Sequence, residues 1–193
     1  MTIDTSITAA QALAQNPNSP APESVLAELT VVPVQYIGFD GNLHEGVLVI
    51  HQSVRDDIEA FFSLACELRF PIEKVIPISH PDYAWDDERS CADNNTSGYN
   101  YRLISGGTRL SNHARGLAFD VNPVQNPYIR YDQDLKEFFR VPPRSVYDET
   151  TAGTLTKSHP LVLLMKDRGW AWGGDWTPSS GREDFQHFEK QLL

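Results

Sequence analysis

The sequence predicts an α+β single domain, on three observations. Two short apolar runs, at 31–39 and 46–50, flank the turn residues Asp40-Gly41-Asn42 and read as a hairpin-like pair. An amphipathic segment follows, with Val54, Ile58, Phe61, Phe62, Ala65 and Leu68 on one broad helical face. Farther on, Leu117, Phe119 and Val121 alternate with Ala118 and Asp120, the period of a strand whose inward face carries the acid. At 193 residues the chain suits one well-buried domain and is too short for two large ones.

Taken in order, residues 1–30 form an N-terminal arm rich in Ala, Ser, Thr, Asn and Pro. The linker composition of 15–22 leads to the expectation of little fixed structure there. The domain proper is expected over 31–193. Ser53 to Asp56 resembles a capping box with Asp in place of Glu, and Phe70-Pro71 ends the helix it starts. Val75, Ile76 and Ile78 mark a core strand. Residues 80–93 read as a polar connection, with Asp86-Asp87-Glu88 a solvated acidic run and His80 a loop histidine. Tyr99, Tyr101 and Leu103 alternate with Asn100, Arg102 and Ile104, which suggests a strand with one polar face, and 105–108 turns the chain. Asn122-Pro123 closes the central strand, 132–139 reads as a short helix broken by Pro142-Pro143, and 150–157 as a loop. Ser158 is the expected N-cap of a helix over 161–168, with Gly169 just past its end and His159 exposed at its start. Trp170, Trp172 and Trp176 are consistent with a core strand or with an aromatic platform at a site mouth.

A formal net charge of −10 disfavours a protein that tracks nucleic-acid phosphates. No stretch approaches the ~20 apolar residues of a membrane span. The first fifteen residues lack the basic and apolar regions of a secretory leader. The chain is therefore expected to act where it is made, to be released by lysis, or to have a leader that this sequence does not include. Cys66 and Cys91 are too few for a disulfide scaffold, and Cys66 in its helical pattern reads as a buried thiol.

The chemistry concentrates in two stretches. Residues 111–120 place His113 and Asp120 seven apart, with Gly116 able to reverse the turn that carries the histidine. Near the C-terminus, Asp184 stands three residues before His187 among aromatics. Two imidazoles and a carboxylate, His113, Asp120 and His187, are the ligand set of a catalytic zinc, which keeps a position open for water. Asp184 is the free acid that would deprotonate that water. Arg102 on its strand could stabilise an oxyanion or bind a substrate carboxylate.

Ser111-x-His113-x-x-Gly116-x-Ala118-x-Asp120, followed by Asp184-x-x-His187, resembles the M15 family of zinc peptidases. These include D-alanyl-D-alanine carboxypeptidases and L-alanyl-D-glutamate endopeptidases. The stretches 94–102 and 172–176 are similar to the same group, so the resemblance runs from about 31 to 188 and leaves out the arm. It implies a small domain with helices on a central antiparallel sheet, shared with the Hedgehog signalling domain. It implies zinc on His113, Asp120 and His187, Asp184 as general base, and Arg102 steadying the scissile carbonyl or a substrate carboxylate. Ser111, Ser97 and Trp172 are the expected substrate contacts, and a peptidoglycan peptide is the expected partner. The Hedgehog comparison supplies the alternative, a zinc-stabilised binding domain without catalysis. Retention of Asp184 and Arg102 argues for the enzyme.

Overall fold

The structure, a computed structural model, describes residues 7–104 and 107–192. The first six residues of the arm, Ser105-Gly106 of the expected turn, and Leu193 lie outside them. The chain folds as a small α+β domain in which antiparallel strands pair in several short sheets.

Strands β1 (Leu29–Ile37) and β2 (Leu43–His51) form the expected hairpin, from Leu29 opposite His51 to Ile37 opposite Leu43. The Asp40 carboxylate closes its turn by accepting from the Asn42 amide at 3.0 Å. Val32, Val34 and Tyr36 of β1, with Leu48 and Ile50 of β2, are buried in the main core. Helix α3 (Arg55–Glu67) packs on β1 and buries Ile58, Phe61, Phe62 and Ala65, the stripe that its periodicity predicts. The residue that opens this segment is His51 rather than Ser53. Its Nδ1 accepts from the Ser53 amide at 3.2 Å, at a 3₁₀ turn preceding the helix.

Helix α5 (Pro160–Asp167) lies against α3 and buries Leu161, Val162 and Met165. Its cap is His159, one residue beyond the expected serine. That ring is half-buried, packs edge-on against Phe70 at 4.9 Å and accepts from the Leu161 amide. Asp57 ties the two helices to the C-terminus, accepting from Arg168 (3.1 Å), the Trp170 indole (2.9 Å) and Lys190 (2.8 Å).

The remaining strands are short. β3 (Lys74–Val75) and β4 (Asn95–Thr96) pair in parallel, with α4 (Asp87–Ala92) between them where a loop was expected. Asp86 caps α4 by accepting from the Arg89 amide, so the acidic run starts a helix. The polar-faced strand expected over 99–104 does not form: Leu103 makes only an isolated bridge to Leu110, and the nearest strand is β4. Beyond it the backbone divides its hydrogen bonds, Tyr99 donating to Val49 and Asn100 to His113, and no ladder continues. The helix expected over 132–139 is instead a hairpin of β6 (Tyr128–Tyr131) and β7 (Glu137–Val141). Asp132 accepts from the amides of Asp134 and Lys136, which fixes a turn where a helix would need a first turn.

Strand β9 (Arg182–Asp184) pairs with β6. β5 (Ala118–Asp120), β10 (His187–Glu189) and β8 (Ala171–Trp172) make a second three-stranded antiparallel sheet, in the order β5-β10-β8. Residues 7–28 of the arm carry two short helices, α1 (Ala9–Ala12) and α2 (Glu23–Leu26). Ala12 of α1 and Ala21, just before α2, are buried with Leu29, Val49 and Tyr99 in a separate apolar cluster. Both cysteines are free. Cys91 is the buried thiol, whereas Cys66 is half-buried with its Sγ against the Gln35 carbonyl. No helix among the described residues is long and apolar enough to cross a membrane.

Candidate metal centre

Antiparallel register builds the site. Phe119 lies opposite Phe188, and Asp120 opposite His187. Successive side chains on a strand point to opposite faces. The two phenylalanines therefore stack in the core, with centroids 5.1 Å apart and Phe61 edge-on to both. The acid and the histidine emerge together on the other face. One apolar anchor behind the sheet thus fixes the strands that carry two functional groups.

The third group arrives on a 3₁₀ turn, Asn112–Arg115. Ser111 caps it, its hydroxyl accepting from the His113 amide at 3.3 Å. Gly116 ends it with φ +67°, and a Cβ there would sit 2.5 Å from the His51 nitrogen. That nitrogen donates to the Gly116 carbonyl at 2.8 Å, so the turn is locked to the end of β2 and only glycine fits. The His113 ring is oriented from its far side, Nδ1 donating to the Gly98 carbonyl at 2.6 Å. Because a carbonyl only accepts, this contact leaves Nε2 bare and pointing into the site.

His113 Nε2 is 3.2 Å from Asp120 Oδ2, His187 Nδ1 is 3.0 Å from Asp120 Oδ1, and the two ring nitrogens are 3.2 Å apart. All three side chains are buried, and their donor atoms lie within 4.8 Å of one another. His80 and His159 are not part of this cluster. Two nitrogens and a carboxylate oxygen converging in a buried pocket suit a divalent metal of zinc type.

Asp184 ends β9 and lines the same pocket, of about 310 Å³, with Arg102 and Ser111. One of its carboxylate oxygens is enclosed with no hydrogen-bond partner. Burial, reinforced by the negative charge of Asp120, pushes the Asp184 carboxyl up to about 7 against the pull of His187, Arg182 and Arg102. Burial would also raise Asp120, but the two imidazoles reverse that and hold it well below the usual carboxylate range. His187 is depressed by burial and raised more strongly by Asp120 and Glu189, to about 10. Two carboxylates in one pocket are thus driven apart, one held ionised among the imidazoles and one poised near neutrality.

Arg102 is half-buried, and its guanidinium binds Asp87 at 2.8 Å and the Leu103 carbonyl at 3.3 Å. Its Nε is enclosed without a partner. The acidic run read as solvated therefore contributes Asp87 to the pocket wall. It stands at the start of α4, and it also accepts from Asn100 at 3.1 Å.

Two expected substrate contacts lie elsewhere. Trp172 is a core residue, its indole donating to the Phe185 carbonyl at 2.8 Å, because β8 turns it towards the same side as its partner Phe188. Ser97 is buried beside Asp120, where the two residues exchange backbone hydrogen bonds of 2.9 and 3.1 Å, and it does not line the pocket. The aromatics at the pocket wall are Tyr128, Phe139 and Trp176, and the Trp176 ring lies 5.6 Å from His187 and carries the Arg182 guanidinium at 4.2 Å. Arg182 and Glu189 also line the pocket and were not singled out by sequence. The alternation His187-Phe188-Glu189 could have identified Glu189, since it puts residues 187 and 189 on one face.

The fold and site together define an α+β protein with a buried His-Asp-His cluster suited to a metal and a carboxyl, raised by burial, beside it. Residues 105–190, a little under half of the chain, match the family described as D-alanyl-D-alanine carboxypeptidase, and the match supports an M15 family peptidase. It spans His113, Asp120, Asp184 and His187. No curated protein and no solved structure gives a significant match.

Proposed function

We propose that this chain is a zinc-dependent peptidase that hydrolyses peptidoglycan stem peptides, of the D-Ala-D-Ala carboxypeptidase or L-Ala-D-Glu endopeptidase type. The observation that carries the reading is the convergence of His113 Nε2, Asp120 and His187 Nδ1 beside an acid with an enclosed, unpaired oxygen. His113, Asp120 and His187 would hold the metal. When bound, zinc supplies a Lewis acid that polarises the scissile carbonyl and makes water acidic enough to react near pH 7. Asp184 accepts the proton of the attacking water and returns it to the departing amine, a task suited to an acid whose affinity for protons lies near ambient pH. Arg102, held by Asp87, offsets the negative charge that develops on the carbonyl oxygen. Neither Ser111 nor Cys91 is needed as a nucleophile, so no acyl-enzyme forms.

Mass spectrometry of muropeptides incubated with the purified chain tests this. Loss of a terminal D-alanine identifies the carboxypeptidase, and a new D-glutamate amino terminus identifies the endopeptidase. Metal and peptide binding with no new fragment from any stem peptide would favour the non-catalytic binding domain.

A further inference from the structure

We infer that Glu189, held in place by Asn112, is the positioning residue that makes His187 bind metal through Nδ1. The inference rests on the proposed metal reading and adds to it. His113 and His187 offer opposite ring nitrogens to the cluster, Nε2 and Nδ1 respectively. An imidazole that binds a metal through one nitrogen keeps its hydrogen on the other, so something must choose the atom. For His113 the Gly98 carbonyl makes the choice. For His187 the only acceptor on the outward nitrogen among the described residues is Glu189, whose Oε2 is 3.2 Å from Nε2.

The contact follows from register and is braced from outside. His187 and Glu189 are two apart on β10 and share its site face, while Phe188 fills the core. The residues opposite Glu189 on the neighbouring strands are Ala118 and Ala171, neither of which carries a group that competes for its carboxylate. Asn112 Nδ2 donates to the same Oε2 at 2.7 Å. Asn112 is the first residue of the 3₁₀ turn that presents His113. One turn therefore sets both imidazoles, His113 directly and His187 through Asn112 and Glu189. The ion pair of Glu189 with His187 lies on the ring edge away from the three donor atoms, so Glu189 is a support and not a fourth ligand.

The test is zinc affinity of the full chain by chelator competition for wild type, Glu189→Ala, Glu189→Gln and Asn112→Ala, with folding checked by circular dichroism. Nitrogen-15 histidine spectra of the zinc-loaded protein report which His187 nitrogen is metallated. The wild-type spectrum is expected to show metal on Nδ1 and hydrogen on Nε2. Glu189→Ala should weaken zinc binding by about 10- to 100-fold. Glu189→Gln, which keeps an acceptor oxygen, should recover most of that, and Asn112→Ala should lose affinity by at least about threefold. Metal on Nε2 of His187 in the wild type, or Glu189→Ala within about twofold of wild type, would overturn the inference while leaving a zinc site standing. A wild type that takes up no zinc would overturn the metal reading itself. If Glu189→Ala does not fold, Asn112→Ala, which removes only the brace, decides by the same twofold limit.

Discussion

Replacing Asp184 with asparagine should cost the protein its activity and make the metal-free fold more stable at alkaline pH. Asparagine keeps the shape of the side chain and removes its charge. The carboxyl of Asp184 is raised from an ordinary 3.8 to about 7, chiefly by burial. A displacement of that size corresponds to roughly 4 kcal/mol if fully realised. Solvent reaches part of this side chain, so roughly 2–3 kcal/mol is the expectation. The sign follows from linkage. The folded state holds the Asp184 proton more tightly than the unfolded chain does, so the cost is absent below about pH 4 and complete only above about pH 7. Wild type should therefore lose this stability as pH rises through that window, and Asp184→Asn should not. Thermal unfolding in chelator at pH 8 should place the variant above wild type by roughly 4–12 °C for a chain of this length. At pH 4.5 the gap should largely close. Because Asp184 is not among the three converging donors, the variant should retain metal in the absence of chelator while releasing no muropeptide fragments. A variant no more stable than wild type at pH 8, or a gap equal at both pH values, would refute the burial argument. Loss of the metal would instead exchange base and ligand.

Three further outcomes are expected. Purified protein never exposed to chelator should contain about one zinc per chain, and His187→Ala should lose both metal and activity; metal content well under half an equivalent in wild type counts against the site. Arg102→Ala should lower kcat on the order of 100-fold, and Arg102→Lys by less, with metal content unchanged in both. Wild-type rates for both variants would make Arg102 a structural partner of Asp87 only. Asp57→Ala should destabilise the fold by roughly 2–3 kcal/mol at pH 7, as removal of a carboxylate with three charged or indole donors predicts. Burial opposes ionisation of Asp57, but those donors depress its carboxyl below the usual value. Its contribution is thus present above about pH 4 and lost at lower pH, and unfolding curves of variant and wild type should converge there.

The elements that were legible in the sequence are those whose pattern was local. The hairpin of 29–51 and helix α3 carry their own periodicity, and their buried faces are the ones the alternation and the helical stripe designate. The hairpin of 128–141 is not legible in the sequence because Glu137-Phe138-Phe139 has adjacent aromatics that fit either period. The side chain of Asp132, which commits the segment to a turn, acts through hydrogen bonds that a hydrophobic pattern does not record. Residues 99–104 alternate as a strand should, yet their amides find partners on both β2 and the His113 turn. An alternating face without one continuous neighbour does not make a ladder.

For the site, types and spacing were enough to nominate His113, Asp120, Asp184, His187 and Arg102, and the fold brings all five to one pocket. What spacing could not supply was the other end of each contact. Trp172 and Trp176 are four residues apart in one aromatic run, and only the pairing of Trp172 with Phe188 sends the first into the core and leaves the second at the wall. Asp87 looked like part of a solvated run because Arg102, fifteen residues later, is what draws it inward. Glu189 is hidden in the sequence for a related reason. In the sequence it is one more acid near the C-terminus, but in the fold its carboxylate lies between the ring of His187 and the amide of Asn112, 77 residues earlier. His113 and Asp120 stand at short spacing in the sequence, whereas His187 and the Asn112–Glu189 contact that aims it come together only through strand register and the 3₁₀ turn. The aim of His187 Nδ1 is therefore a property of the β5-β10 pairing and the Asn112 turn together. Altering either should disturb the metal without touching a ligand.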